Sequence, residues 1–284
     1  MAIAPLALGV AATSLTVAAV DRVSKSLARP GVANEGLGEQ GVAEAAEGTT
    51  TRRLVVLGAS GGSGVAVVEA ALERNYHVVA FARDQQRLNR ELGHLMGHAS
   101  LEVALGEISD LTALLSAMQG AQAVICTVGP RPETAPGPLA PAIQILVEAC
   151  RKCQIERLIV QGCALASAPG EWWGLLTPAR LARAVVRWQN SSKAIDDAEV
   201  SFHGQESLRR YLYNEAKDVK WVVARPVWLE EGEARGALVP NLDTFTQSSI
   251  RYADLALWLL EQVDGGDYVQ KMPRLKYGPV EYPI

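Results

Sequence analysis

No part of this chain limits its fold more than Leu54-Val-Val-Leu57-Gly58-Ala59-Ser60-Gly61-Gly62-Ser63-Gly64. The four apolar residues read as a short buried strand, and the alanine-rich run 65–73 after the glycines reads as a buried helix. Between them Gly58, Gly61 and Gly64 are spaced G-x-x-G-x-x-G. In such a strand–turn–helix one glycine permits the tight turn, one lets backbone approach a pyrophosphate, and one lets helix and strand touch. The unpaired N–H groups and the dipole at the helix start then favour a bound anion. Gly58, Ser60, Gly61, Gly62, Ser63 and Gly64 therefore form a candidate dinucleotide cradle. The competing reading is a glycine-rich turn with no ligand.

Downstream, apolar strand patterns at 53–57, 77–82, 101–104, 123–127, 157–161 and 221–224 alternate with helical ones at 64–74, 111–118, 139–153, 175–189, 206–215 and 251–262. Alternating strands and helices, with near-continuous apolar strands, predict an α/β fold. The expected form is a Rossmann-type, doubly wound parallel sheet covered on both faces, with the ligand at the carboxyl ends of its strands. The sequence divides into an apolar segment at 1–21, a linker at 22–51 that is rich in Gly, Ala, Glu and Thr, and one domain at 52–284. Residues 2–20 carry no charge, and Arg22, Lys25 and Arg29 follow them. That length just spans ~30 Å of hydrocarbon at ~1.5 Å per residue. Its flanking charges favour a membrane anchor with the domain on a reducing, cytoplasm-like side. A cleaved secretory signal and an organelle-targeting segment (mitochondrion or plastid) are the competing readings, and no basic residue precedes the run as a signal peptide would need.

Net charge is −4, which gives no reason to expect a nucleic-acid partner. The four cysteines, Cys126, Cys150, Cys153 and Cys163, suggest no disulfide framework. Cys150-Arg-Lys-Cys153 has redox spacing but ends a helical run, whereas reactive thiolates favour helix N-termini. No further ligands stand at zinc spacing, so no metal is expected.

The order of motifs resembles the atypical short-chain dehydrogenase/reductases, the NAD(P)H-binding family that includes NmrA-like regulators and biliverdin/flavin reductases. The resemblance runs over 53–265. It rests on the glycine motif, Phe81-Ala82-Arg83-Asp84, Gly106-Glu107-Ile108-Ser109-Asp110, Val124-Ile125-Cys126-Thr127-Val128-Gly129, the Arg225-Pro226 that closes strand six, and Ile250-Arg251-Tyr252-Ala253-Asp254-Leu255-Ala256. It implies that Glu107 and Ile108 flank the adenine, and that Thr127, Val128 and Gly129 line the ribose and nicotinamide path. It also places Cys163, after strand five, and Pro226, after strand six, among the cofactor positions. An NAD-selective site ends its second strand in Asp or Glu, ~20 residues past the glycines. Here the position is Arg83, whose guanidinium suits a 2′-phosphate, with Arg87 one turn on. NADP(H) is therefore favoured over NAD(H).

Active members of the broader family use Ser, Tyr and Lys, the last two spaced Tyr-x-x-x-Lys on one helix face. Tyr213-Asn-Glu-Ala-Lys217 has the spacing, but it lies only four residues before strand six and reads as a coincidence. The upstream positions are Ala198, Phe202 and His203, and the serine position holds Cys163. The catalytic residues stay unassigned. His203 is one proton-donor candidate beside the reading that it is an ordinary surface histidine. Residues 165–200 read as a helical insertion. Within it 171–188 carries Trp172, Trp173, Arg180, Arg183, Arg187 and Trp188, suiting a pocket cap, a core helix or a docking face for protein or lipid. Two functions result: an NADPH-dependent reductase of a small acceptor without a Ser-Tyr-Lys triad, or a non-catalytic nucleotide-binding accessory subunit of a respiratory or photosynthetic membrane complex. A redox-sensing regulator is a third.

Overall fold

Alternation along each strand decides how this domain is layered. The computed structural model describes residues 52–129, 139–163, 192–226, 228–241 and 249–278. Six parallel strands form the main sheet: β1 (Arg53–Leu57), β2 (His77–Ala82), β3 (Leu101–Leu105), β4 (Ala123–Cys126), β5 (Arg157–Gln161) and β6 (Trp221–Ala224). Their order is β3-β2-β1-β4-β5-β6, so the winding reverses between β1 and β4. Leu54 pairs with Val78 on one side and Ala123 on the other.

Even-numbered β1 residues Leu54 and Val56, with Val78, Ala80, Ile125 and Val222, face helices α1 (Gly62–Glu73) and, late in the chain, α6 (Tyr252–Asp264). Odd-numbered Val55 and Leu57, with Val79, Val124 and Val160, face the other layer. That layer is built from α3 (Leu111–Met118), α4 (Leu139–Lys152) and α5 (Ser192–Glu215). Period-2 alternation of apolar residues on both faces makes the sheet a fully buried middle layer, the expected arrangement for parallel strands. Only the outer strand β3 leaves Val103 and Leu105 exposed.

Several elements escape the sequence reading. α2 (Gln85–Glu91) has a single buried apolar residue, Leu88, so it shows no periodicity. Helix α5 begins at Ser192, not at 206, because its first turns are polar and show no apolar stripe. It runs unbroken through residue 200, so 192–200 belong to the same helix as the core residues Leu208 and Leu212. Two small sheets complete the fold. β7 (Trp228–Glu230) pairs in parallel with β9 (Ser249–Arg251), and β8 (Leu238–Asn241) pairs antiparallel with β10 (Arg274–Tyr277).

Buried polar groups tie these late elements to the sheet. Arg157, in β5, donates from Nε to the Gln262 carbonyl (2.8 Å) and from a terminal nitrogen to the Gly265 carbonyl, closing the C-terminus of α6. Asp254, in the first turn of α6, accepts from the N–H of Arg235 (2.9 Å) and of Gly236 (3.2 Å), and from the Tyr277 hydroxyl (2.7 Å). Among the described residues no helix is long and apolar enough to cross a membrane. The apolar segment 1–21 and the linker 22–51 lie outside the described residues, as does the aromatic and basic run 171–188.

Candidate functional site

The strand β1 ends at Leu57, and the chain turns through Gly58 at φ +83°, a conformation that glycine adopts without strain. The N–H groups of Gly58 and Ala59 both reach the Phe81 carbonyl (3.1 and 3.3 Å), which fastens the turn to β2. Gly61 N–H donates to the Gly58 carbonyl (2.9 Å) and closes it. On the other side, the Thr127 hydroxyl donates to the Leu57 carbonyl (3.0 Å). A Cβ at Gly58 would stand 3.0 Å from that hydroxyl oxygen. The loop is thus clamped at the point where the strand order reverses, which is where open α/β sheets form a ligand crevice.

Helix α1 starts with no side-chain cap, since its N-cap is Gly61, and no acidic residue stands in its first turn. The N–H groups of Gly62, Ser63 and Gly64 have no acceptor inside the helix, and the positive end of the dipole is uncompensated. Gly64 packs directly on the turn: a Cβ there would lie 2.2 Å from the Gly58 carbonyl oxygen and 2.8 Å from Ala59 Cα. At Gly61 the same atom would meet only the Gly58 carbonyl oxygen, at 3.4 Å. Gly62 is exposed, and a Cβ on it would run into the ring of Tyr252. Ser60 and Ser63 are buried in the loop.

Arg83 follows β2 and is exposed. Next to it Asp84 turns its carboxylate away to accept the Arg87 N–H (3.1 Å), capping α2. Arg87 donates from Nε to the Ser60 carbonyl (3.1 Å), so its guanidinium lies on the glycine loop. Beyond β3, Glu107 is exposed and accepts from the Ser109 hydroxyl (3.3 Å), while Ile108 is half-buried against the core. Asp110 caps α3 through the Ala113 N–H (3.1 Å). The aspartates of the Arg-Asp and Gly-x-x-x-Asp strings are therefore helix caps. Thr127 and Val128 are half-buried past β4, and Gly129 is exposed with nothing near the place of a side chain. Cys163 is half-buried after β5, and Pro226 is buried after β6. Every residue nominated from sequence as a cofactor contact follows the carboxyl end of a strand in this one sheet.

Two polar side chains that the sequence did not single out sit at the same edge. Gln161 Oε1, closing β5, and Gln205 Oε1, on α5, are buried acceptors with no donor among the described residues. Gln205 is 4% exposed and faces Gly162, where a Cβ would stand 3.1 Å from its oxygen. A lone glutamine on a polar helix carries no spacing signal that could have revealed it.

Tyr213 and Lys217 lie elsewhere. The Tyr213 ring meets Trp221 edge-on at 4.9 Å, at the first residue of β6, and the Lys217 carbonyl accepts from Gln270 Nε2 (2.6 Å). Both are at the amino edge of the sheet, opposite the glycine loop. Three of the thiols are suppressed rather than activated. Burial pushes Cys126 up to about 11 and Cys150 up to about 12, and also raises Cys153. Among the described residues no three His, Cys, Asp or Glu side chains gather as a metal set.

The family model described as NAD(P)H-binding matches residues 58–265. The chain belongs to this NAD(P)H-binding family. The match starts at the first glycine of the loop and ends at the C-cap of α6, so it takes in the whole crevice. Solved structures share the fold, among them a short-chain dehydrogenase/reductase from Veillonella parvula in complex with NADP. It has 17% identity and a TM-score of 0.60, with 81% of this chain and 97% of that one covered. ChuY, an anaerobillin reductase from Escherichia coli O157:H7, has 22% identity and a TM-score of 0.57, with 82% and 100% covered. At these identities the likeness to solved structures shows a shared fold and nothing finer. A comparison with curated proteins finds no match. A Cβ at Gly58 would press on Thr127 and Val128, and one at Gly64 on the turn itself, so the two glycines let the loop lie close against β4 and the uncapped start of α1.

Proposed function

We propose that this chain binds NADP(H) in preference to NAD(H) and reduces a small acceptor at the carboxyl edge of its sheet without a Ser-Tyr-Lys triad. The observation that carries the reading is the arrangement after β2. Arg83 is exposed there, Arg87 lies on the Ser60 carbonyl, and the neighbouring carboxylate, Asp84, caps α2. Two guanidinium groups beside the adenosine end suit the dianionic 2′-phosphate. The capture of NADP by the Veillonella protein of the same fold supports it.

In this reading the bound nicotinamide supplies hydride, and the protein supplies position. Uncapped N–H groups of Gly62 and Ser63 hold the diphosphate. Thr127, Val128 and Gly129 line the path past β4. Cys163 and Pro226 border the far end, and the proton for an easily reduced acceptor comes from water. The test is a titration of NADPH and NADH against the full chain and against Arg83→Ala. Tighter NADPH binding that falls to the NADH level in Arg83→Ala is expected. Equal affinity in the unmodified chain overturns the NADP(H) preference.

A second reading is favoured by the position of Tyr213 and Lys217 at the amino edge, which leaves no Tyr/Lys pair on the cofactor side among the described residues. In it the nucleotide is a retained structural cofactor of an accessory subunit, anchored by 2–20 in a membrane complex through 171–188. NADPH oxidation on adding a flavin acceptor favours the reductase, and tight retention without oxidation favours the subunit.

A further inference from the structure

Helices α1 and α6 pack side by side, and both begin at the carboxyl edge of the sheet. Tyr252 is the first residue of α6 and Gly62 the first of α1. A Cβ on Gly62 would stand 2.8 Å from Tyr252 Cζ and 2.9 and 3.2 Å from its two Cε atoms. It is therefore the hydroxyl-bearing end of the ring that lies over Gly62. The ring fills the volume in which a side chain at 62 would lie.

This placement is held from both sides. The Arg251 N–H donates to the Tyr277 hydroxyl oxygen (2.9 Å), and that hydroxyl donates to Asp254 (2.7 Å). The residues before and after Tyr252 are thus braced against the C-terminal strand. Gly62 is exposed and Tyr252 half-buried, so this corner opens onto the crevice. Neither α1 nor α6 has a side-chain cap, and α1 has no acid in its first turn.

We propose that Tyr252 is a binding residue of the dinucleotide site, its hydroxyl donating to the diphosphate at the start of α1 and its ring walling that side of the crevice. The inference rests on the dinucleotide-binding reading above. A diphosphate presents only acceptors, so a phenol beside the first-turn amides adds one more donor at no cost in competing charge. Gly62 and Tyr252 act as a matched pair. The glycine removes a side chain from α1, and a residue some 190 positions later returns a ring to the same space, set by α6 and not by the loop.

The experiment compares the full chain with Tyr252→Phe, which keeps the ring and its packing. NADPH is one probe. The other is 2′-AMP, which has the adenosine and 2′-phosphate but no diphosphate. The expected result is about tenfold weaker NADPH binding in Tyr252→Phe, the size of one charge-assisted hydrogen bond, with 2′-AMP binding and the unfolding temperature unchanged. Unchanged NADPH binding, or equal losses for both probes, overturns the role of the hydroxyl. If the unmodified chain binds no nucleotide at all, the dinucleotide reading itself fails and takes this inference with it. That outcome is told apart because it appears before any substitution is made.

Discussion

Replacing Gly64 by alanine tests the contact on which the crevice depends. The added methyl would lie 2.2 Å from the Gly58 carbonyl oxygen and 2.8 Å from both Ala59 Cα and the Gly58 carbonyl carbon. All three are backbone atoms of a turn clamped to β2 and β4, so none can swing aside as a side-chain end could. A carbon–oxygen contact needs about 3.3 Å, so α1 must retreat by about 1 Å at its N-terminus. Overpacking of this kind costs about 3 kcal/mol at the upper end of its range, and the better helix propensity of alanine offsets about 1 kcal/mol. The remaining ~2 kcal/mol corresponds to a fall in Tm of ~4–8 °C for a domain of this size. The same retreat moves the first-turn N–H groups, so NADPH affinity falls as well. Gly61→Asp is the control. A Cβ there meets only one atom at 3.4 Å, and the backbone is extended at φ −95°, ψ 160°. It should leave Tm nearly unchanged while putting a carboxylate where the diphosphate sits, abolishing binding. Circular-dichroism melting and NADPH titration read both effects. A Gly64→Ala chain that melts with the unmodified one would refute the described packing of α1 on the loop.

Two further outcomes follow from the polar braces. Asp254→Asn leaves the N–H groups of Arg235 and Gly236 and the Tyr277 hydroxyl with one acceptor oxygen in place of two, and should cost about 3 kcal/mol in a urea titration. A loss under about 1 kcal/mol would mean that the brace is not formed. Arg151 holds Asp218 through two bonds of 2.7 Å and lowers its carboxyl to about 2, against the usual 3.8. A depressed carboxylate pKa stabilises above the unfolded value and is lost as pH falls through the folded one. The Tm gap between the unmodified chain and Asp218→Asn should therefore be full above about pH 5 and close as pH approaches 2. Because Asp218 is 58% exposed, high salt should also shrink the gap. A gap that widens in acid refutes the assignment.

The strands of the main sheet were legible because each is a short apolar run with turn residues beside it. Expected and observed bounds agree fully for β1, β2, β5 and β6, and β3 and β4 differ by one residue at an end. Helices with an apolar stripe, such as α3 and α6, were legible for the same reason. The polar helix α2 and the first half of α5 were not, because their sequences are polar and carry no periodic apolar stripe. The small strands β7 to β10 have three or four residues each, too few to show a pattern.

What the sequence determined by itself is local: three glycines between a strand and a helix, an arginine where an acid would select NAD, and a β-α alternation that admits one kind of sheet. Backbone sterics and side-chain period act over a few residues, so they can be read along the chain. What only the tertiary structure decided is which distant residues share the crevice. It turned Asp84 and Asp110 into caps, put Tyr213 and Lys217 at the far edge, buried Gln205 beside Gly162, and laid Tyr252 on Gly62. Those positions depend on how α5 and α6 dock on opposite faces of the sheet. Such docking is fixed by many apolar contacts at once, and no short stretch of sequence encodes it.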